Sequence, residues 1–150
     1  MEEILTIEFK KWQEKHPDWI SEHFYMGEFI YSAKAVQAGL DNMPPADAQM
    51  AIRNLVRKLL EPLRVYSREP IVISSGYRSE EVNRLVGGVP NSQHRKGEAA
   101  DVYTFGSFRL LENLINSGLN FDQAILYRSR KFLHLSLKYK GANRRQVIIR

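Results

Sequence analysis

The chain contains no cysteine. That single absence removes disulfide frameworks, thiolate metal sites and cysteine nucleophiles together, and leaves His, Asp and Glu as the strong metal ligands. Long apolar runs are missing as well. The N-terminal cluster Ile4-Leu5-Thr6-Ile7 is too short for the apolar region of a secretory signal, and no stretch is long enough to span a membrane. The expectation is synthesis in the cytoplasm without a signal peptide. Acidic side chains run out too: none follows Asp122, and every charged residue from Arg128 to Arg150 is Lys or Arg. The formal net charge is +5. Such a basic third suits nucleic acid, anionic membrane or acidic wall polymers. No RNA- or DNA-binding motif accompanies it, so a solvated basic face is expected and nucleic acid is not.

At 150 residues with 43% hydrophobic residues, the chain is long enough for one domain with a real core and short for two. Residues 1 to about 20 form a candidate amphipathic helical extension, with Ile4, Ile7, Phe9 and Trp12 loosely periodic and His16-Pro17 as its stop. A short helix is expected from Gly27 to Ala38, ended by Gly39. The longest is expected from about Ala46 to Tyr66, where Ile52, Leu55, Val56, Leu59, Leu60 and Leu63 make one apolar stripe and Pro62 should kink or tighten the last turns. Ser79-Glu80-Glu81 has N-cap character for a brief helix to Val86. Ser107 to Asn116 is helical, with Leu110, Leu111, Leu114 and Ile115 inward and Gly118 as its stop. Strands are expected at 71–75, 99–104, 121–127, 132–138 and 146–149. Their order after the helices predicts an α+β fold with a small antiparallel sheet partly covered by helices. Gly87-Gly88 lacks the Lys-Ser/Thr ending of a phosphate loop.

His94 and Asp101 lie seven residues apart, the imidazole in a turn-rich loop and the carboxylate in the next apolar segment. That is the first half of a metal site. The second half is His134. In Phe132-Leu-His-Leu-Ser-Leu-Lys138 the leucines alternate with His134, so a leucine face turned to the core sends the imidazole the other way. The same parity puts Asp101 and Tyr103 on one strand face and Ala100 and Val102 on the other. Two imidazoles and one carboxylate leave a tetrahedral zinc with an open position. Non-haem iron uses the same donors, commonly with a closer spacing between the first His and the carboxylate. His16 and His23 read as structural, the second as a cap or loop contact.

The stretches Ser75-Gly76-Tyr77-Arg78-Ser79, Val82-Asn83, Val86-Gly87-Gly88, Ser92-Gln93-His94 and Gly97-Glu98-Ala99-Ala100-Asp101 resemble the zinc D-Ala-D-Ala carboxypeptidase family of peptidoglycan peptidases. That family includes vancomycin-resistance dipeptidases and phage endolysins. The likeness continues through Phe121-Asp122-Gln123, Leu133-His134-Leu135-Ser136 and Asn143-Arg144-Arg145-Gln146-Val147, and so covers residues 21–150 as one peptidase-like domain. It implies a fold like that of hedgehog proteins and D-Ala-D-Ala peptidases, one zinc per chain on His94, Asp101 and His134, and peptidoglycan peptides as partners of a monomer. Arg78 would hold the substrate carbonyl or oxyanion. The expected substrate contacts are Arg78, Ser92, Gln93 and Gln123. Phage lysins reach the wall through a separate membrane pore, which would reconcile such a substrate with cytoplasmic synthesis.

The chain departs from the family pattern at the general base. A Glu expected just after the Phe-Asp-Gln strand is Tyr127 here, and an acid expected three residues before the second His is Lys131. Parity aims Tyr127 at the site alongside Gln123, but a phenol with a pKa of about 10 is a poor base at neutral pH. Glu98 is the nearest substitute in sequence, with a role in its own loop as the plainer alternative. Three functions follow: a peptidase, a zinc-binding relic that holds peptide without turnover, and, furthest off, a nucleic-acid binder.

Overall fold

A computed structural model describes residues 7–150. The part of the N-terminal pattern that includes Ile4 lies outside the described residues. Helix α1, Ile7–Lys15, stops before Pro17 as expected. Trp12 of α1 stacks on His16 and meets Trp19 edge-on, and Trp19 leans on Tyr25. Ile20 is already fully buried in the core.

The single helix expected over Gly27–Ala38 is two helices, α2 (Met26–Ile30) and α3 (Ala33–Ala38). Tyr31 and Ser32 are extended between them, and the Ser32 hydroxyl accepts the Ala35 N–H, which starts a new helix instead of continuing the old one. The long helix is also interrupted. Helix α4 (Ala46–Leu55) passes into a π-helical turn over Val56–Leu60 and then α5 (Glu61–Ser67), with the Glu61 N–H bonded to the Val56 carbonyl. The turn before Pro62 is therefore widened, not tightened. Proline has no N–H to offer the carbonyl four residues back and its ring needs room there, and a wider turn supplies that room. The stripe survives the change: Ile52, Leu55, Val56, Leu59, Leu60 and Leu63 are all at most 1% exposed.

Strands β1 (Val72–Ser75), β2 (Ala99–Tyr103), β3 (Gln123–Tyr127), β4 (Phe132–Ser136) and β5 (Gln146–Ile149) form one sheet in the order β1-β2-β4-β3-β5. The α+β class holds, and the first four strands are antiparallel. The edge strand β5 is not: it runs parallel to β3, Gln123 opposite Gln146 through Leu126 opposite Ile149. The crossover from β4 is short, and it is tied down by Asp122. Helix α6 (Glu80–Leu85) is capped by Ser79, whose hydroxyl accepts the Val82 N–H. Helix α7 (Ser107–Ser117) buries Leu110, Leu111 and Leu114, but Ile115 is 54% exposed, against expectation. At about 100° per residue, Ile115 falls roughly 90° from the centre of that stripe.

The two faces of the sheet divide the labour. Ala100, Val102, Ala124, Leu126, Leu133 and Leu135 are buried in the helix-covered core. The alternate residues Asp101, Ile125 and His134 lie on the other face, with Asp101 directly opposite His134 and His134 opposite Ile125.

Candidate metal centre

The parity of two adjacent strands places Asp101 and His134 side by side, and a 3₁₀ turn over Gln93–Lys96 delivers His94 to them. Ser92 caps that turn by accepting the His94 N–H at 3.2 Å. Gly97 closes it at φ 76°, in the left-handed region where a side chain is strained, and a Cβ there would also strike the Ala48 carbonyl. The backbone of the turn is pinned to β1's exit by the Arg78 N–H, which donates to the His94 carbonyl at 3.0 Å.

The glycine in Ser-Gly-Tyr-Arg has a packing reason. A Cβ on Gly76 would come within 2.6 Å of Phe29 Cα, and the next residue, Tyr77, donates its N–H to the Phe29 carbonyl at 2.7 Å. With the chain held this close to α2, the Gly76 carbonyl faces His94 Nδ1 at 2.7 Å. A carbonyl only accepts, so Nδ1 carries the proton and Nε2 keeps its lone pair. Strand β1 also carries an extra residue between Ile73 and Ser75, a bulge that puts Ser75 opposite Asp101 and brings Arg78 alongside the site.

Three ligand atoms, one each from His94, Asp101 and His134, lie within 4.8 Å of one another. His94 Nε2 is 3.4 Å from Asp101 Oδ1, and His134 Nδ1 is 2.9 Å from the same oxygen. Donors about 2.1 Å from a tetrahedral zinc stand roughly 3.4 Å apart, so the first edge already has the spacing and the second needs about half an ångström of opening. His94 is 3% exposed and Asp101 9%, and the imidazole rings meet edge-on at 5.1 Å. Burial alone would raise the Asp101 carboxyl, but the hydrogen bond from His134 and the close approach of the His94 ring hold it well below the usual carboxylate range. Burial lowers the His94 pKa, with Asp101 opposing. An ionised carboxylate and a neutral, correctly oriented imidazole are the protonation states a zinc site requires. The donor set, its spacing and the fixed tautomer fit zinc.

This cluster forms the floor of a cleft of about 480 Å³. Arg78 stands at its edge with Nε on Ser75 Oγ at 3.2 Å, one terminal nitrogen 3.4 Å from Asn83 Oδ1 and the other 3.5 Å from Asp101 Oδ2. Asn83 in turn donates to the Val89 carbonyl, which ties the Gly87–Gly88 loop to the same guanidinium. Ser92, Gln123 and Tyr127 line the cleft. Gln93 does not; its carbonyl accepts the Glu98 N–H within the turn. Glu98 belongs to that loop as well, its carboxylate accepting the Tyr139 N–H at 3.0 Å, away from the cleft. Lys131 sits exposed in the β3–β4 turn at φ 57°. Among the described residues, Asp101 is the sole acid in the cleft wall. His23 binds Glu61 at 2.7 Å, and His16 bonds the Trp12 carbonyl, so both histidines are engaged outside the cleft.

Some residues of the site's support carried no legible signal. Asn42, in a stretch that reads only as a turn, is 7% exposed and bridges three segments: its amide donates to the carbonyls of Ile30 and Tyr77, and its oxygen accepts the Ser79 N–H. Arg130 and Arg150 also line the cleft, where the sequence suggested only a solvated basic face.

Residues 22–136 match the model of a family described as Peptidase M15, while no curated protein matches the chain. That match covers well over half of the sequence and contains the whole His-Asp-His cluster, so the chain belongs to the M15 peptidases, the zinc D-Ala-D-Ala carboxypeptidase-like family.

Proposed function

We propose that the protein is a zinc peptidase that hydrolyses peptide bonds beside D-amino acids in peptidoglycan stem peptides or cross-links. The observation that carries this is the convergence of His94 Nε2, Asp101 and His134 at the floor of a cleft whose edge is Arg78. When bound, zinc supplies Lewis-acid activation of water and of the scissile carbonyl. The chain's own residues do the rest. Gly76 fixes the tautomer of His94, so that its free nitrogen faces the cleft without a conformational search. Ser75 and Asn83 hold the Arg78 guanidinium, which offers a fixed positive charge to the oxyanion that develops on the carbonyl oxygen. Gln123, anchored by Gln146 at 2.7 Å, and Ser92, whose own hydroxyl proton is not committed to His94, are polar groups placed for a peptide backbone.

A second reading is favoured by a specific observation. Among the described residues the cleft wall offers no acidic side chain besides Asp101, which the two imidazoles engage, and the base position holds Tyr127 stacked on Phe132 at 4.6 Å. A homologue with its base lost would hold zinc and peptide and turn over slowly, since general-base catalysis is worth about 10²- to 10⁴-fold. Incubation of the purified zinc-loaded protein with peptidoglycan fragments, with release of D-alanine or of split cross-links followed by mass spectrometry, tests both. Steady release supports the peptidase. Saturable fragment binding with no product supports the impaired homologue, and neither binding nor cleavage overturns both.

A further inference from the structure

The chain after Asp122 contains no acid, and the fold brings two of its arginines to one side of the metal cleft. Arg130 lies in the β3–β4 turn. Arg150 follows β5, whose parallel pairing sets Ile149 opposite Leu126. The backbone locks this end: Arg150 N–H donates to the Leu126 carbonyl at 2.8 Å and Arg128 N–H to the Arg150 carbonyl at 3.0 Å. The Arg150 guanidinium carbon stands 6.0 Å from the centre of the Tyr127 ring. Neither Arg130 nor Arg150 forms an ion pair with a described acid, whereas the acid nearest Arg78, Asp101, is shared with two imidazoles. Three guanidinium groups thus line one cleft in which, among the described residues, the one acidic side chain, Asp101, is already engaged. In a concave wall of one sign the field is focused, and guanidinium is the group best matched to a carboxylate.

Resting on the peptidase or peptide-binding reading above, we infer that Arg130 and Arg150 form a carboxylate-reading wall, so that the cleft selects peptides bearing a free carboxylate beside the bond held over the metal centre. That carboxylate is either the peptide's own C-terminus or an acidic side chain next to the bond. Tyr127 contributes a flat surface beside Arg150 in the same cleft, and it leaves the cationic wall unneutralised where a Glu would oppose it.

The test is equilibrium binding of synthetic peptides to the zinc-loaded full chain, with the bond beside the D-residue N-methylated so that nothing is cleaved. Acetyl-L-Ala-D-Ala-D-Ala as the free acid is compared with its C-terminal amide, and the amide carrying D-Glu in place of the last residue is compared with its D-Gln counterpart. We expect at least one acid to bind about fivefold or more tightly than its neutral partner, as two partly exposed ion pairs would give, and the advantage to shrink as salt is raised. The pair that shows it identifies the source of the carboxylate. In the double variant Arg130→Gln/Arg150→Gln the advantage should disappear with zinc content unchanged, while Arg128→Gln keeps it. Equal affinity of acid and amide in both pairs, a preference that survives the double variant, or no binding of any peptide to zinc-loaded protein overturns the inference. Failure of the zinc reading is separate: protein that takes up no zinc yet still prefers the acid through these two arginines retains the wall and loses the metal centre.

Discussion

Two carboxylates are buried on this sheet, and they have opposite fates. Asp122 is fully buried and saturated: its Oδ1 accepts the Arg144 backbone N–H at 2.9 Å and Nε at 3.1 Å, and its Oδ2 takes a terminal nitrogen at 2.7 Å. Asp101 is buried almost as deeply, but its partners are two imidazoles and one guanidinium at 3.5 Å. Arginine cannot give up its charge or its proton, so the Asp122 pair is a permanent fastening. It holds the start of β5, since the Asp122 carbonyl also accepts the Gln146 N–H. Imidazoles can instead turn a lone pair toward a cation, so the Asp101 cluster keeps its capacity to coordinate. Depth of burial does not separate a structural acid from a functional one here. The chemistry of the partners does.

The largest expected effect breaks the functional half of this contrast. His94→Ala, His134→Ala and Asp101→Asn should each lower zinc affinity by at least about 100-fold, so that metal analysis after dialysis falls from near one zinc per chain to near zero. His16→Ala and His23→Ala should leave zinc content alone. Asp122→Asn should do the reverse, keeping its zinc but losing about 3 kcal/mol in denaturant unfolding, because the Arg144 donors then face a neutral amide. Asp101→Asn in metal-free protein should cost less, about 1 kcal/mol, because the amide oxygen can still accept the His134 N–H that the carboxylate accepts. Similar stability losses in both Asn variants would erase the distinction.

Acid pH sharpens the same comparison by a smaller amount. Burial would raise the Asp122 carboxyl, but Arg144 and Lys138 bring it down to about 2. A depressed folded-state value means that the unfolded chain takes up its proton first as pH falls. The stabilisation is therefore complete above about pH 5 and is lost toward about pH 2, a loss of about 1–2 kcal/mol given that Arg144 is half exposed. The wild-type stability curve should slope down across that window and the Asp122→Asn curve should be flatter. Parallel slopes would remove Asp122 from the acid response.

The meeting of Asp101 and His134 was legible because strand parity is a strong signal: alternating leucines around His134 and small apolar residues around Asp101 allow only one face for each. Its supports were not legible. The Gly76 contact with Phe29, the reach of Asn42 across three segments and the Asp122–Arg144 fastening join residues far apart in sequence, and no local period records them. The parallel placement of β5 was hidden for a related reason. A short final strand can add to either edge in either direction, and a buried ion pair before it decided the matter. Helix interruptions at Ser32 and before Pro62 came from hydrogen-bond bookkeeping that hydrophobic periodicity does not see.

Tyr127→Glu adds a third carboxylate to the comparison, one with neither a saturating arginine nor a coordinating role. It would stand on the face of β3 that carries Gln123, in the cleft with Arg78 and Arg150. If the missing base limits turnover, this variant should raise kcat on D-Ala-D-Ala peptides about tenfold, less than the full value of an evolved base, with KM changed by less than about twofold. The split follows because a base acts in the transition state and adds little to ground-state binding. Tyr127→Phe should bind peptide and zinc as the wild type does, since stacking on Phe132 needs only the ring. A wild type that cleaves briskly, with Tyr127→Glu no faster, would show that the base comes from outside this cleft wall. A rise in KM with kcat unchanged would show instead that the new carboxylate neutralises the arginine wall, which acid and amide substrates compared on the variant would reveal at once.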